Sequence, residues 1–599
     1  MKKRVADIVV ETLLEYGVTT CFSVVGGGSM HLNNAFAICE SIEKIYNHHE
    51  QACAMAAEAY ARACGRMAAV CVTSGPGGTN AINGVQGAWV DSVPMIVISG
   101  HPRQNTTVAA TGLQLRCRGV QENDIITQVK SITKYAKCII NYREIKRELI
   151  KAIAIALEGR RGPVWLDIPL DVQGNHVDID ELYDVEENGD SRIDIKGEIA
   201  KLHEKLSEAK RPCILTGSAI RTGDCIQEFR EFVSQIRIPI VGGALQGDIC
   251  YSEQENYYGT SGSTGPRCGN FILQNADFIL VLGNSLSFKQ TGFDQKKFAL
   301  DAKIVMVDAQ EDEAKKPDLH IDWYIVCELK EFFTNAKRQM MQLDAPREWN
   351  DYCRFLKKQF PEFEALHAYG EVEQSQSVSA LYWWNKMLSL AKQDAVFCLG
   401  NSSCVVPPLV EGVKKPTQRL LVNYNCGSMG DDLPNAIGAA IAFKREIICV
   451  TGDGSIMMNL QELQTIRHYR LPIKVVIFCN DGYGAIRNTC RNYFDGVYMG
   501  CDKDTGVSFP SFEKIANAFG FAYRKCSKAA DTEDGIQWLN DQDTFCILEI
   551  VQRQQEIQGL RLESLLLEDG SFVTPALHQL SPRLDDEEKY MVQNYISGE

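Results

Sequence analysis

The sequence predicts an α/β protein of three doubly wound domains, each built on a parallel sheet, and three observations carry that expectation. Short β-rich runs alternate with helical patterns along nearly the whole chain. Two polar, charge-rich stretches, at about 176–196 and 343–375, interrupt the alternation. The 599 residues are enough for three or four domains at roughly 150 residues each.

The first element is a helix. Met1-Lys2-Lys3-Arg4 resembles the start of a signal peptide, but Asp7, Glu11 and Glu15 interrupt the apolar run that should follow. An amphipathic helix that buries Val5, Ile8, Val9 and Leu13 fits instead. Strands follow at 67–72, 94–99 and 164–168, with a glycine-rich turn after the first, so residues 1–175 form the first domain. Val177-Asp178-Ile179-Asp180-Glu181 through Asn188-Gly189-Asp190 reads as an exposed linker. A second domain, 197–335, carries strands at 213–216, 239–241, 278–282 and 304–307. After a partly helical connection comes a third domain, 376–555, and a polar tail, 556–599, to which the sequence assigns no role.

Composition excludes several classes. Hydrophobic residues make up 45% and charged residues 23%, with 19 Pro against 47 Gly, as in ordinary globular chains and unlike disordered, collagen-like or coiled-coil ones. Sixty-two basic and 77 acidic residues leave a formal charge of −15 with no Lys/Arg run, the wrong sign for a nucleic acid partner. No apolar run approaches membrane-spanning length. The 22 cysteines include no C-x-x-C pair, so they read as small buried hydrophobes in a reducing compartment. A cytoplasmic location is expected.

The chemistry concentrates in the third domain. Ile447-Ile448-Cys449-Val450 reads as a buried strand running into Thr451-Gly452-Asp453-Gly454-Ser455; a helix should follow, with apolar positions at Met457, Leu460, Leu463 and Ile466. A second strand, 475–479, ends at Asn480-Asp481-Gly482. One right-handed βαβ unit brings Asp453 and Asn480 to the same carboxyl edge, where open α/β sheets bind ligands. A carboxylate, an amide oxygen and turn carbonyls form an all-oxygen set suited to Mg²⁺, and a helix start beside them suits a diphosphate. The alternative is two ordinary βα turns that use Gly and Asn for tight geometry.

Gly452-Asp453-Gly454-Ser455 through Asn480-Asp481-Gly482 resembles the signature of the thiamine diphosphate-dependent enzymes. The resemblance implies three α/β domains, pyrimidine-binding, central and diphosphate-binding, with Mg²⁺ held by Asp453, Asn480 and the carbonyl of Gly482 and the diphosphate beside Gly452, Gly454 and Ser455. It also demands a glutamate in the first domain to bond the cofactor's aminopyrimidine. His49-Glu50-Gln51 followed by Ala56-Ala57-Glu58-Ala59-Tyr60-Ala61-Arg62 resembles the H-E-Q…A-A-E-x-Y-A-R run of the acetolactate synthase branch, which makes Glu50 that residue. A helix-terminal carboxylate is its plainer reading, and His48 and His49 are read as structural.

Further motifs match in order. Thr73-Ser74-Gly75-Pro76-Gly77-Gly78-Thr79-Asn80 and Asp91-Ser92-Val93-Pro94 resemble a run of that branch, so Asn80 joins the cofactor set. Val25-Gly26-Gly27-Gly28 resembles the loop near the reactive carbon. Gly119-Val120-Gln121-Glu122 resembles a run whose Gln lies near the substrate, although Val120 stands where an aromatic is usual. Gly427-Ser428-Met429-Gly430 with Leu433-Pro434 resembles G-x-M-G-x-x-L-P: Met429 would hold the cofactor bent and the Gly427 carbonyl would accept from its amino group. Bending places proton donor and acceptor within one molecule at high effective concentration. Leu399-Gly400-Asn401-Ser402 takes the place of V-G-Q-H, with both polar residues, Asn401 and Ser402, changed.

The acceptor side departs from acetolactate synthases at three places. Gly484-Ala485-Ile486-Arg487-Asn488-Thr489 lacks their Trp, Pro169-Leu170-Asp171-Val172-Gln173 lacks a Lys, and Ser287-Phe288-Lys289-Gln290-Thr291-Gly292 lacks an Arg. The resemblance implies a carboligase that decarboxylates a keto acid, pyruvate, and adds the two-carbon unit to a carbonyl other than 2-ketobutyrate. Asn480-Asp481-Gly482-Tyr483-Gly484-Ala485-Ile486-Arg487-Asn488-Thr489, with Tyr493-Phe494 beyond, resembles enzymes that build branched-chain deoxysugars, which implies a nucleotide-linked ketosugar as the acceptor. Arg487 is a candidate acceptor ligand, with a surface or interdomain salt bridge as the alternative. Acetolactate synthase and simple decarboxylase stand as alternatives, and a non-enzymatic subunit is disfavoured because Glu50 and the Mg²⁺ residues are kept. Leu282-Gly283-Asn284-Ser285 and Val307-Asp308 lie where family members contact FAD, leaving flavin an option. Glu50 and Asp453 fall on different subunits in the family, implying a homodimer or homotetramer.

Overall fold

The computed structural model describes residues 2–183, 194–244, 246–340, 342–368, 377–554, 556, 559–566 and 572–597. The expected linker residues Asn188-Gly189-Asp190, the proposed domain start at 376 and part of the tail lie outside these.

Three six-stranded sheets organise the described chain, and every strand pair within them is parallel. The first holds β1 (Thr20–Ser23), β2 (Glu43–Tyr46), β3 (Ala69–Val72), β4 (Ile96–His101), β5 (Tyr135–Cys138) and β6 (Val164–Pro169), in the order β2-β1-β3-β4-β6-β5. The second holds β7 (Pro212–Thr216), β8 (Ile240–Gly242), β9 (Tyr257–Thr260), β10 (Phe278–Leu282), β11 (Lys303–Asp308) and β12 (Trp323–Val326), in the order β9-β8-β7-β10-β11-β12. The third holds β13 (Val396–Leu399), β14 (Arg419–Leu421), β15 (Ile447–Gly452), β16 (Ile473–Cys479), β17 (Ala522–Cys526) and β18 (Cys546–Val551), in the order β14-β13-β15-β16-β18-β17. Central strands such as Phe278–Leu282 are buried along their whole length, which is why they read as unbroken apolar runs rather than alternating ones. Lys2–Arg4 adds a short antiparallel pairing with His176–Asp178. The opening helix α1 (Val5–Glu15) buries Val5, Ile8, Val9 and Leu13 as expected.

Helices cover both faces of each sheet. The helices α2 (Glu50–Cys64) and α3 (Pro76–Val90) of the first domain and α4 (Asp432–Phe443) of the third lie together, and one apolar cluster runs from Phe22, Ala54 and Ala57 through Ile437 to Cys449. Small residues permit this approach. A Cβ on Gly438 of α4 would stand 2.0 Å from the Ala56 carbonyl oxygen of α2, and one on Gly84 of α3 would stand 2.5 Å from the Ala54 Cβ. Among the described residues no helix is long and apolar enough to cross a membrane. The cysteines are free, and Cys117 is the exposed one.

The single helix expected after Gly454-Ser455 is instead two pieces, a turn at Asp453–Ile456 and α5 (Glu462–Tyr469). Polar side chains tie down the break. Asn459 donates to the Gly430 carbonyl at 2.7 Å and to Gln51 Oε1, while the Glu462 carboxylate accepts from Asn47 Nδ2 and the His48 N–H. Met457 is consequently exposed, whereas Leu463 and Ile466 stay in the core.

The tail is attached rather than free. Leu562 N–H donates to the Ser263 carbonyl and Asn270 Nδ2 to the Leu577 carbonyl, both on the second domain, and Tyr595 stacks on Phe355 of the connection that follows it, with ring centroids 4.5 Å apart.

Candidate active site

Parallel pairing of β15 with β16, Gly452 opposite Phe478, delivers the next residues of both strands to one edge. There the Asp453 carboxylate accepts three peptide N–H groups: Gly454 at Oδ1 (2.8 Å), Asn480 at Oδ2 (2.9 Å) and Gly482 at Oδ2 (3.3 Å). Asp453 is 4% exposed, and no ion pair reaches it among the described residues. Burial pushes its carboxyl up to about 6, against the downward pull of these backbone donors.

The Asn480 amide is oriented from both sides. Its Nδ2 donates to Gln552 Oε1, and its Oδ1 accepts from Arg487 Nη2 at 2.8 Å; the same Nη2 reaches the Asn480 main-chain carbonyl at 2.6 Å. Arg487 lies on α6 (Gly484–Tyr493). Gly482 must be glycine: its φ is +159°, and a Cβ would come 2.1 Å from the Cys501 carbonyl oxygen. A buried, unpaired carboxylate beside an amide oxygen and a turn carbonyl is a donor set that fits a hard cation such as Mg²⁺. Among the described residues no group of three or more His, Cys, Asp or Glu side chains is placed to hold a metal ion.

A second group lines the same edge. A Cβ on Gly454 would meet the Tyr483 ring at 2.3 Å and lie 3.5 Å from Met429 Cε, so Gly454, Tyr483 and Met429 are neighbours. Asn401 Nδ2 donates to the Ser428 carbonyl, and Gly427, at φ +61°, lies beside the Asn401 side chain. Ser402 also has a left-handed backbone, φ +58°. The Ser455 hydroxyl turns inward, donating to Asp432 Oδ2 at 2.7 Å while it accepts from the Gly430 N–H, and Asp432 takes a further hydroxyl from Thr451. Asp432 is fully buried and its carboxyl is raised by that burial. Asp432 and Tyr483 were not among the residues expected at the site. Asp432 occupies an unspecified position of the G-x-M-G-x-x-L-P pattern, and nothing marked Tyr483 apart from its place after Asn480-Asp481-Gly482.

The first domain brings together a different set. Glu50 is the first residue of α2 and half-buried; its Oε2 accepts from Asn80 Nδ2 at 3.0 Å. His49 caps the helix, accepting the Gln51 N–H. A Cβ on Gly26 would clash with Thr73 and one on Gly28 with Ser74, whereas Gly27 faces open space. Gln121, exposed and at φ +54°, passes over Gly75, where a Cβ would stand 2.7 Å from its carbonyl oxygen. Glu50, Asn80, Gly26, Gly27 and Gln121 thus share one domain, and Met429, Asn401, Ser402, Gly427, Gly452, Asp453, Gly454, Ser455, Asn480 and Gly482 share the other. No hydrogen bond or ion pair joins Glu50 to Asp453 or Asn480 among the described residues.

A cavity opens where the three domains meet, lined by Arg62 and Asp91 of the first, Gly283, Asn284 and Asp308 of the second and Tyr424 of the third. The Leu282-Gly283-Asn284-Ser285 and Val307-Asp308 turns therefore border one space.

Comparison with known proteins gives matches along most of the chain. Family models described as thiamine pyrophosphate enzyme match in three parts: the N-terminal TPP binding domain at residues 3–129, the central domain at 199–335 and the C-terminal TPP binding domain at 404–550. The acetolactate synthase large subunit of Haemophilus influenzae is 28% identical over 89% of this chain and 91% of its own length. Isozyme 2 of Escherichia coli is 26% identical over 91% and 95%, and the chloroplastic acetolactate synthase of Arabidopsis thaliana 29% over 92% and 82%.

Proposed function

We infer the reaction from one premise: the chain belongs to the thiamine pyrophosphate enzyme family, whose cofactor, thiamine diphosphate, is the same compound under another name. Within it the protein is an acetolactate synthase-like transferase that joins carbon to carbon with decarboxylation of a keto acid. We propose that the donor is pyruvate, that the two-carbon unit passes to a nucleotide-linked ketosugar, and that Mg²⁺ anchors the cofactor.

The observation that carries the acceptor assignment is the segment after Asn480-Asp481-Gly482. It forms α6 with Arg487 turned to the site, Thr489 in place of the Trp of acetolactate synthases, and Tyr493 and Phe494 exposed at 72% and 52%. Exposed rings and guanidinium groups suit a base and phosphates better than a small keto acid.

When bound, thiamine diphosphate supplies the electron sink that decarboxylation needs. Asp453, Asn480 and Gly482 would hold Mg²⁺, with Gly452, Gly454 and Asn401 along the diphosphate. Glu50, one oxygen fixed by Asn80, holds or releases a proton at the other. Met429 is the apolar prop, Gly427 offers its carbonyl, Gly26 lets its loop close on Thr73, and Gly27 leaves room where the keto acid approaches Gln121. Ser455, whose hydroxyl is taken by Asp432 and Gly430, acts through its backbone. From the family resemblance, in which Glu50 and Asp453 of different subunits complete one site, we propose that the active unit is a homodimer or homotetramer. The three-domain cavity would accept FAD as a resident group; the isolated protein's visible absorption spectrum tests that.

The alternative reading, acetolactate synthase itself, is favoured by relatives of that name covered over most of their length. Mass-spectrometric product analysis with pyruvate, thiamine diphosphate and Mg²⁺ separates the readings. Rapid acetolactate formation from pyruvate alone would overturn the ketosugar assignment, and free acetaldehyde would indicate a decarboxylase. A mass gain of one acetyl unit on an added nucleotide-linked 4-ketosugar is the expected result.

A further inference from the structure

We propose that Arg487 is an internal counter-cation for the metal site, one that the divalent ion must displace from Asn480 as the cofactor loads. The inference rests on the reading of Asp453, Asn480 and Gly482 as the Mg²⁺ residues.

The geometry is specific. A single nitrogen, Arg487 Nη2, holds both oxygens of Asn480, the side-chain Oδ1 at 2.8 Å and the main-chain carbonyl at 2.6 Å. A Cβ added to Gly482 would lie 3.3 Å from Arg487 Nη1, so the guanidinium spans two of the three proposed ligand residues. Its Nε is buried and has no partner. A guanidinium that leaves a donor unsatisfied is not held there by an optimal fork; the two bonds of Nη2 to the Asn480 oxygens are what hold it. Asn480 Oδ1 has two lone pairs, so stereochemistry alone would let it serve ion and guanidinium together. Charge forbids it. Mg²⁺ binds oxygen at about 2.1 Å, and with Nη2 2.8 Å from the same oxygen a monovalent and a divalent cation would sit at most about 5 Å apart in a poorly screened site. Entry of the ion should therefore expel Arg487, and because Arg487 sits in the first turn of α6, the acceptor-side helix would respond to loading of the diphosphate site.

The test is ion affinity rather than turnover. With the full-length protein and saturating thiamine diphosphate, Mn²⁺ is titrated and the free-ion electron paramagnetic resonance signal gives Kd. Arg487→Gln keeps an amide near Asn480 but removes the charge, and is expected to tighten Mn²⁺ binding by roughly tenfold, about 1.4 kcal/mol. Arg487→Lys, which keeps the charge on a mobile amine, is expected to stay within about threefold of wild type. Unchanged or weaker binding by Arg487→Gln, with wild type binding normally, overturns the counter-cation role and leaves the metal assignment standing. Absence of Mn²⁺ binding by wild type overturns both.

Discussion

The first and third domains share a strand order, the second strand of each at one edge and the fifth at the other, yet their carboxyl edges are electrostatic opposites. At the edge of the third domain a carboxylate is sunk to 4% exposure, ringed by three peptide N–H groups, with a guanidinium across the amide beside it. At the edge of the first a carboxylate opens a helix, half-buried, with one amide for a partner. Topology decides where an edge lies; the two or three residues that leave each strand decide whether it can bind an ion or pass a proton. The proposed division of labour gives the ion to the buried Asp453 and the proton to the half-buried Glu50.

The largest effect should come from removing the buried charge. Asp453→Ala should cost about 3–5 kcal/mol of thiamine diphosphate binding in the presence of Mg²⁺, measured by calorimetric titration, while Glu50→Gln leaves that affinity within a few-fold. The complementary change falls on the other edge: Glu50→Gln should lower the rate of deuterium exchange at the cofactor's reactive carbon by about 10²–10⁴, read by nuclear magnetic resonance. Equal binding losses in both variants would erase the division of labour.

Acidity sharpens the contrast next. Asp453 is raised, not depressed, so in EDTA-treated protein it holds a proton that the unfolded chain has already lost. Its contribution to stability is therefore complete below about 4 and lost as pH rises to about 6, with a slope of up to about 1.4 kcal/mol per pH unit. Denaturant unfolding should show that slope, and Asp453→Asn should remove it. With Mg²⁺ the same group makes ion affinity fall as pH drops below about 6. The smallest effect concerns the Glu50 partner: Asn80→Ala should cost about 1 kcal/mol at that carboxylate, a several-fold loss in kcat measured with saturating cofactor.

Much of this was legible in the chain. Apolar runs such as 278–282 announced central strands because parallel sheets are buried on both faces, and the spacing from Asp453 to Asn480 required one crossover. What was hidden depends on partners distant in sequence. The break between Ile456 and Glu462 could not be read from an apolar spacing that continued through it, since Asn47, His48 and Gln51, some 400 positions earlier, supply its hydrogen bonds. The Asp432 role was invisible for the same reason, its partners Thr451 and Ser455 lying on another element. The tail looked merely polar because its few anchors, Leu562, Leu577 and Tyr595, are scattered among charges.

The contact of α2 with α4 has a bearing on how such an enzyme can be recombined. With Gly438 seated against the Ala56 carbonyl, and with Asn459 and Glu462 reaching across to Gln51, Asn47 and His48, the first and third domains were shaped against each other. A chimera that imports only one of them from a relative inherits half of a fitted joint, so the two should be exchanged together.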